Sequence, residues 1–182
     1  MPGSAIFPHN TGVAATFDPT CAAAAGRRAA EDTRAAGIPW MFSPVLGAGV
    51  QPLWPRLYET FGEDPLVGST MGAAFIASAQ STGLNSSDSV AATAKHLMGY
   101  SAPRSGKDRT DAWLPEPYLR QYFVPAFQAA FDAGAKTIMI NSASINGMPV
   151  HASKPILTSL VREQMGFGDG LAVTDWQVRA GM

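Results

Sequence analysis

Charge is what this sequence has least of: Asp, Glu, Lys and Arg make up 15% of its 182 residues, against roughly 25% in an average soluble domain. So thinly charged a chain is expected to have much of its surface covered by something else. Cysteine is nearly absent. Cys21 stands alone, which excludes a disulfide framework and a zinc cluster and leaves the compartment unread, because exported proteins also do without disulfides. Neither sign of charge dominates, since 13 Lys and Arg face 14 Asp and Glu, and the basic residues are scattered rather than gathered on one helix or strand. Nucleic acid and anionic membrane are therefore not expected partners. No apolar run reaches transmembrane length, and Met1-Pro2-Gly3-Ser4 opens without a basic segment ahead of an apolar one. The three histidines include no pair at ligand spacing, so neither a metal nor a cofactor is expected.

Hydrophobic residues, at 46%, are plentiful but come in short runs. Four of strand length, 38–46, 90–96, 137–142 and 171–175, are continuous rather than alternating, as strands buried on both faces of a parallel sheet should be. Between them lie four helical segments. Segment 19–36 is alanine-rich, opens on Asp18-Pro19 and stops at Gly37; 64–80 opens on another Asp-Pro pair. Segment 115–133 carries the apolar stripe Leu119, Tyr122, Phe123, Phe127 and Phe131 and ends at Gly134, and 154–165 is closed by Gly166. Asp as cap, Pro in the first turn and Gly past the end are the expected punctuation. A further strand is expected at 12–17. Strands alternating with helices are the rhythm of right-handed β/α units, hence an α/β fold, and the length falls short of the ~250 residues of a complete (β/α)8 barrel.

Polar residues stand where those strands end. Asp18 follows the further strand expected at 12–17, Lys95 and His96 close run 90–96, Asn141 and Ser142 close run 137–142, and Asp175 closes run 171–175. In a parallel sheet these positions converge on one face. Taken singly, each has a plain alternative: Asp175 as a turn cap, His96 as a core histidine satisfied by backbone. Adjacent side chains on a strand point to opposite faces, so Lys95 and His96 share a pocket only if the strand bends there. The loop residues Gly106-Lys107-Asp108-Arg109 read by default as a solvated turn. Trp54, Trp113 and Trp176 lie in loops expected at the same end, as walls for a sugar ring or as core.

Taken in order, IFPHN with AATFDP, WMFSPVL, WPRLYETFGEDP, AATAKHLMGY with SGKDRT, TIMINSASINGMPVHAS and GLAVTDW resemble the catalytic barrel of glycoside hydrolase family 3, the β-glucosidases and related exo-acting β-glycosidases. The resemblance spans nearly the whole chain. It implies a partial (β/α)8 barrel over residues 1–182, a β-glucoside or β-glucan oligosaccharide as substrate, and a retaining mechanism with Asp175 as nucleophile. Asp18, Arg56, Lys95 and His96 are implied as ligands of the sugar hydroxyls, with Asp108 and Ser142 as weaker carry-overs and Trp176 as an apolar wall. Two departures narrow the substrate. Many members carry Arg-Asp-Pro-Arg-Trp-Gly-Arg where this chain reads VQPLWPRLYE, so only Arg56 is carried over. The branch that cleaves N-acetylglucosamine has a His-Asp pair in the loop that here reads GYSAPRSGKDR, which favours a glucosidase. In most other members a glutamate from a following α/β sandwich domain is the acid/base. That domain is expected to be missing here, so impaired activity is expected of the chain alone. Export to the periplasm or medium is suggested by the family's habit only. Two alternatives stay open: a Schiff-base lyase or aldolase using Lys95, and a non-catalytic sugar-binding or truncated product.

Overall fold

A computed structural model of the protein describes residues 3–176 and 178. After α1 (Asn10–Ala14) and α2 (Pro19–Ala35), the chain alternates strand and helix. It runs through β1 (Trp40–Met41), α3 (Pro65–Ala79) and β2 (Ala91–Leu97), then α4 (Glu116–Tyr118), a π-helical turn Leu119–Phe123 and α5 (Val124–Asp132), then β3 (Thr137–Ile140). A short antiparallel hairpin, β4 (Ser144–Ile145) and β5 (Met148–Pro149), precedes a π-helical α6 (Pro155–Gln164) and β6 (Leu171–Thr174). The four longer-range strands form one sheet in the order β1-β2-β3-β6, every pair parallel. All four C-terminal ends therefore lie at one rim.

Local chemistry accounts for these boundaries. The Asp18 and Asp64 carboxylates accept the N–H of Thr20 at 2.9 Å and of Leu66 at 2.8 Å, each capping a helix that begins on proline, and Gly37 and Gly134 end α2 and α5 at φ of 81° and 87°. Pro125 has no N–H to give the turn before it, and the π turn sits just ahead of it. The strand expected at 12–17 is instead the short helix α1. Gly12 and Val13 both donate to the His9 carbonyl, at 2.8 and 3.1 Å, and Phe17 ends the turn at a φ of 51°. Run 38–46 keeps only two residues as regular strand, because Pro44 cannot donate to a ladder. It nevertheless follows β2 closely, with Thr93 donating to Ser43 and Lys95 to Pro44 at 2.9 and 3.1 Å.

Phe123, Phe127, Ile76, Leu97 and Ile138 are fully buried between sheet and helices. Helices α2 and α3 pack so closely that a Cβ on Gly26 would lie 2.3 Å from the Phe75 carbonyl oxygen. Only glycine fits there. That contact lets α2 and α3 pack backbone to backbone at this point. Among the described residues no helix is long and apolar enough to cross a membrane.

Candidate active site

The sheet places the second, third and fourth runs with their ends together. In β2 the pairing steps from Lys95 opposite Met139 to Leu97 opposite Ile140, so His96 is one residue too many for its partner strand. The bulge lets consecutive side chains join the same cluster, which the alternation of a regular strand forbids.

Lys95 is half-buried, and burial followed by the nearby Arg56 charge lowers its pKa from the usual lysine value; Glu59 and Asp175 oppose the shift. His96 is 2% exposed. Its Nε2 lies 3.4 Å from an Arg56 nitrogen that can only donate, so Nε2 accepts and the ring's proton sits on Nδ1. Desolvation first, then the charges of Arg56, Lys95 and Arg109, push this imidazole down to about 2. Arg56 itself is gripped by Glu59 through two hydrogen bonds of 2.8 Å. It also lies over the Tyr100 ring at 5.6 Å. That pairing holds the Glu59 carboxyl below its ordinary range and raises the guanidinium further above its own.

Across the cluster, Asp175 follows β6, its N–H donating to the Ile140 carbonyl at 3.2 Å. The carboxylate is held at both oxygens: Trp176 N–H donates to Oδ1 at 2.6 Å and the Ser142 hydroxyl to Oδ2 at 3.3 Å. Asp108 is carried in by the loop after β2 and accepts the Trp54 indole N–H at 2.8 Å. Arg109, at a φ of 60°, donates to the Trp176 carbonyl at 3.0 Å and so ties that loop to the segment after β6.

Arg56, Lys95, His96, Asp108, Ser142, Asp175 and Trp176 are thus linked by contacts or charge; Lys95, His96, Ser142 and Asp175 are expected together as strand ends, and Arg56, Asp108 and Trp176 from the family resemblance. Asp18 is not linked to them. Its carboxylate is exposed and spent on the N–H and hydroxyl of Thr20, capping α2, so its hydrogen bonds stay within its own helix. Asn141 is buried and bonds backbone on both sides, to Met98 O and from Ala143 N, which makes it a turn former. Of the tryptophans, Trp176 is 73% exposed and free to face a ligand, whereas Trp54 is 2% exposed and packs edge-on to Tyr100. Trp113 lies beneath the Arg104 guanidinium at 3.9 Å.

Two residues central to the cluster escape sequence reasoning. Glu59 sits in the quoted LYETFG run, three residues after Arg56, a spacing that could have marked it as that arginine's partner. Tyr100 ends the AATAKHLMGY run and gave no polar signal, yet its ring lies 4.8 Å from His96.

The buried neutral imidazole has a consequence for stability. His96 takes up a proton near pH 6.5 when unfolded but only near 2 when folded, so unfolding takes up a proton in the window between. Stability is complete above pH 6.5 and falls on acidification, by up to about 1.4 kcal/mol per pH unit. Unfolding free energies from urea titration at pH 7 and pH 5 should differ by up to about 2 kcal/mol, and His96→Gln should flatten that slope. An unchanged slope in the variant would mean that another group causes the acid sensitivity.

Comparison with known proteins shows what the chain is similar to. The sequence profile of the glycosyl hydrolase family 3 N-terminal domain matches residues 2–181. A lysosomal β-glucosidase of Dictyostelium discoideum is 56% identical over 179 residues, covering 94% of this chain and 22% of the relative. The solved structure of a β-glucosidase involved in saponin metabolism from intestinal bacteria superposes with a TM-score of 0.93 at 35% identity, over 99% of this chain and 24% of that one. A β-glucosidase from Listeria innocua in complex with glucose gives 0.91 at 30% identity, over 95% and 24%. The chain thus spans about a quarter or less of the length of the proteins it matches.

Proposed function

Because the chain belongs to glycosyl hydrolase family 3, matching its N-terminal domain along almost its full length, we propose that it is the nucleophile-bearing part of a retaining exo-β-glycosidase acting on non-reducing terminal β-glucosyl residues. One observation carries this reading. Asp175 ends a barrel-type strand with its carboxylate held at both oxygens, in the field of the Lys95 ammonium and across from the Arg56–His96 pair. A carboxylate so fixed under an anomeric carbon attacks as the glycosidic bond breaks, passing through an oxocarbenium-like transition state to a glycosyl ester. Lys95, Arg56 and His96, whose proton sits on Nδ1, offer donors for sugar hydroxyls, and the exposed Trp176 offers a face.

The leaving oxygen needs a proton, and the carboxyl groups nearby are poorly suited to give it. Glu59 is kept ionised by Arg56, and Asp108 is committed to the Trp54 indole. The acid is therefore assigned to a residue outside this cluster, in keeping with a chain that covers about a quarter or less of its relatives. Acid assistance is worth ~10²–10⁴-fold. The 182 residues alone should cleave unactivated cellobiose poorly or not at all and do better on aryl glucosides, whose leaving groups need little help. Efficient cellobiose hydrolysis by the isolated chain would overturn the assignment of the acid. Membership of a glycoside hydrolase family supports this reading over a Schiff base on Lys95.

The direct test of the nucleophile is trapping with a 2-deoxy-2-fluoro-β-glucoside bearing a good leaving group. The expected product carries one fluoroglucosyl unit, and peptide mapping places it on Asp175. A label on any other residue would refute the assignment.

A further inference from the structure

Ser142 has one proton and two oxygens within reach, Asp175 Oδ2 at 3.3 Å and the Tyr100 phenol at 3.5 Å. The phenol is buried; burial, aided by the Asp108 carboxylate, outweighs the Ser142 hydrogen bond and the Arg56 charge that favour its ionised form, so it keeps its own proton. The choice between the two acceptors then follows the charge on Asp175. An ionised carboxylate takes the Ser142 proton as a charge-assisted bond; a carboxyl group esterified to a sugar attracts it far less, and the Tyr100 oxygen is the alternative.

We infer that Ser142 is a positioning residue for Asp175, acting on the second half of the reaction by making the carboxylate a better leaving group, rather than a ligand of the sugar. The inference rests on Asp175 being the nucleophile. In that second half a water oxygen bonds to the anomeric carbon while a carboxylate base takes the water's proton. The bond from that carbon to the Asp175 oxygen breaks, and its electron pair returns to the carboxylate. A donor aimed at the carboxylate stabilises the charge as it reappears. The same donor slightly disfavours the first half, in which that charge is consumed. Ser142 comes from the end of β3, and Asp175 from the end of its neighbour β6, so the hydrogen bond also braces the sheet's last two strand ends against each other.

The test uses the catalytically competent enzyme and an activated aryl β-glucoside, for which hydrolysis of the glycosyl-enzyme limits turnover. Ser142→Ala should lower kcat about tenfold, the scale of one hydrogen bond to a charged group. KM should fall in parallel, leaving kcat/KM within about threefold. The fluoroglucosyl-enzyme should reactivate about tenfold more slowly, and Ser142→Thr, which keeps the hydroxyl, should restore both. A fall in kcat/KM matching that in kcat, with reactivation unchanged, would make Ser142 a sugar ligand and overturn the inference. Labelling of the unmutated enzyme away from residue 175 would instead bring down the nucleophile assignment, whatever Ser142 does.

Discussion

Asp175→Ala abolishes turnover of aryl β-glucosides to within roughly 10⁴–10⁶-fold of the starting rate, the range seen when a group at the centre of covalent catalysis is removed. The loss should appear in kcat and kcat/KM alike, because the attacking oxygen is gone before any intermediate forms. The cavity left by the carboxylate gives the experiment a second readout. Azide, small and anionic, should enter the space between Ser142 and Trp176 N–H, the two donors that hold the carboxylate, and restore part of the rate. The product should then be the α-glucosyl azide, since azide attacks from the face Asp175 vacated. Retention of more than about one hundredth of the activity without azide, or a β-configured azide, would remove Asp175 from its role.

Glu59→Gln should destabilise the fold by about 2–3 kcal/mol. Breaking a buried ion pair costs ~3–5 kcal/mol, because it leaves an uncompensated charge, and the Arg56 and Glu59 side chains are each 24% exposed, so solvent screening brings the cost to or below the lower end of that range. The glutamine keeps the shape and one acceptor but removes the anion. Arg56 then loses its paired anion and faces Lys95, on which Asp175 still acts, and His96 beside it feels the Arg56 charge unopposed by Glu59. Urea unfolding at pH 7 reads the effect directly, and a midpoint equal to that of the unmodified chain would mean that solvent already screens the pair. Binding should suffer too, since Arg56 would no longer be held flat over Tyr100 against the His96 ring.

These two outcomes weigh differently on what was visible in the residues. The place of Asp175 at the sheet's rim was legible because an apolar run ending on a carboxylate and a tryptophan sits last in a series of ordered motifs. Glu59 was not, because a glutamate among charged and aromatic neighbours at the start of a short 3-10 turn, Leu57–Glu59, looks like any solvated residue until its arginine is seen to turn inward. Asp18 shows the opposite ambiguity. Its place after an apolar stretch fits a site residue, but the Asp-Pro pair also fits a helix cap, and the cap is where its hydrogen bonds go. Ser142 was placed at the right rim and given to the sugar, while its hydroxyl turns toward Asp175.

The sequence by itself determined the alternation of strands and helices, the caps and glycines that bound them, the parallel sheet they imply and the family to which the motifs belong. All of these are carried by neighbours within a few residues, through periodicity, missing N–H groups and allowed backbone angles. Only the tertiary structure decided which side chains meet. Ser142 and Asp175 are 33 residues apart, Arg56 and His96 40, and Arg109 and Trp176 67. Such contacts depend on strand register, on one bulge at His96 and on the spacing that Gly26 allows between two helices, quantities set by packing across the whole fold rather than by any local run of residues.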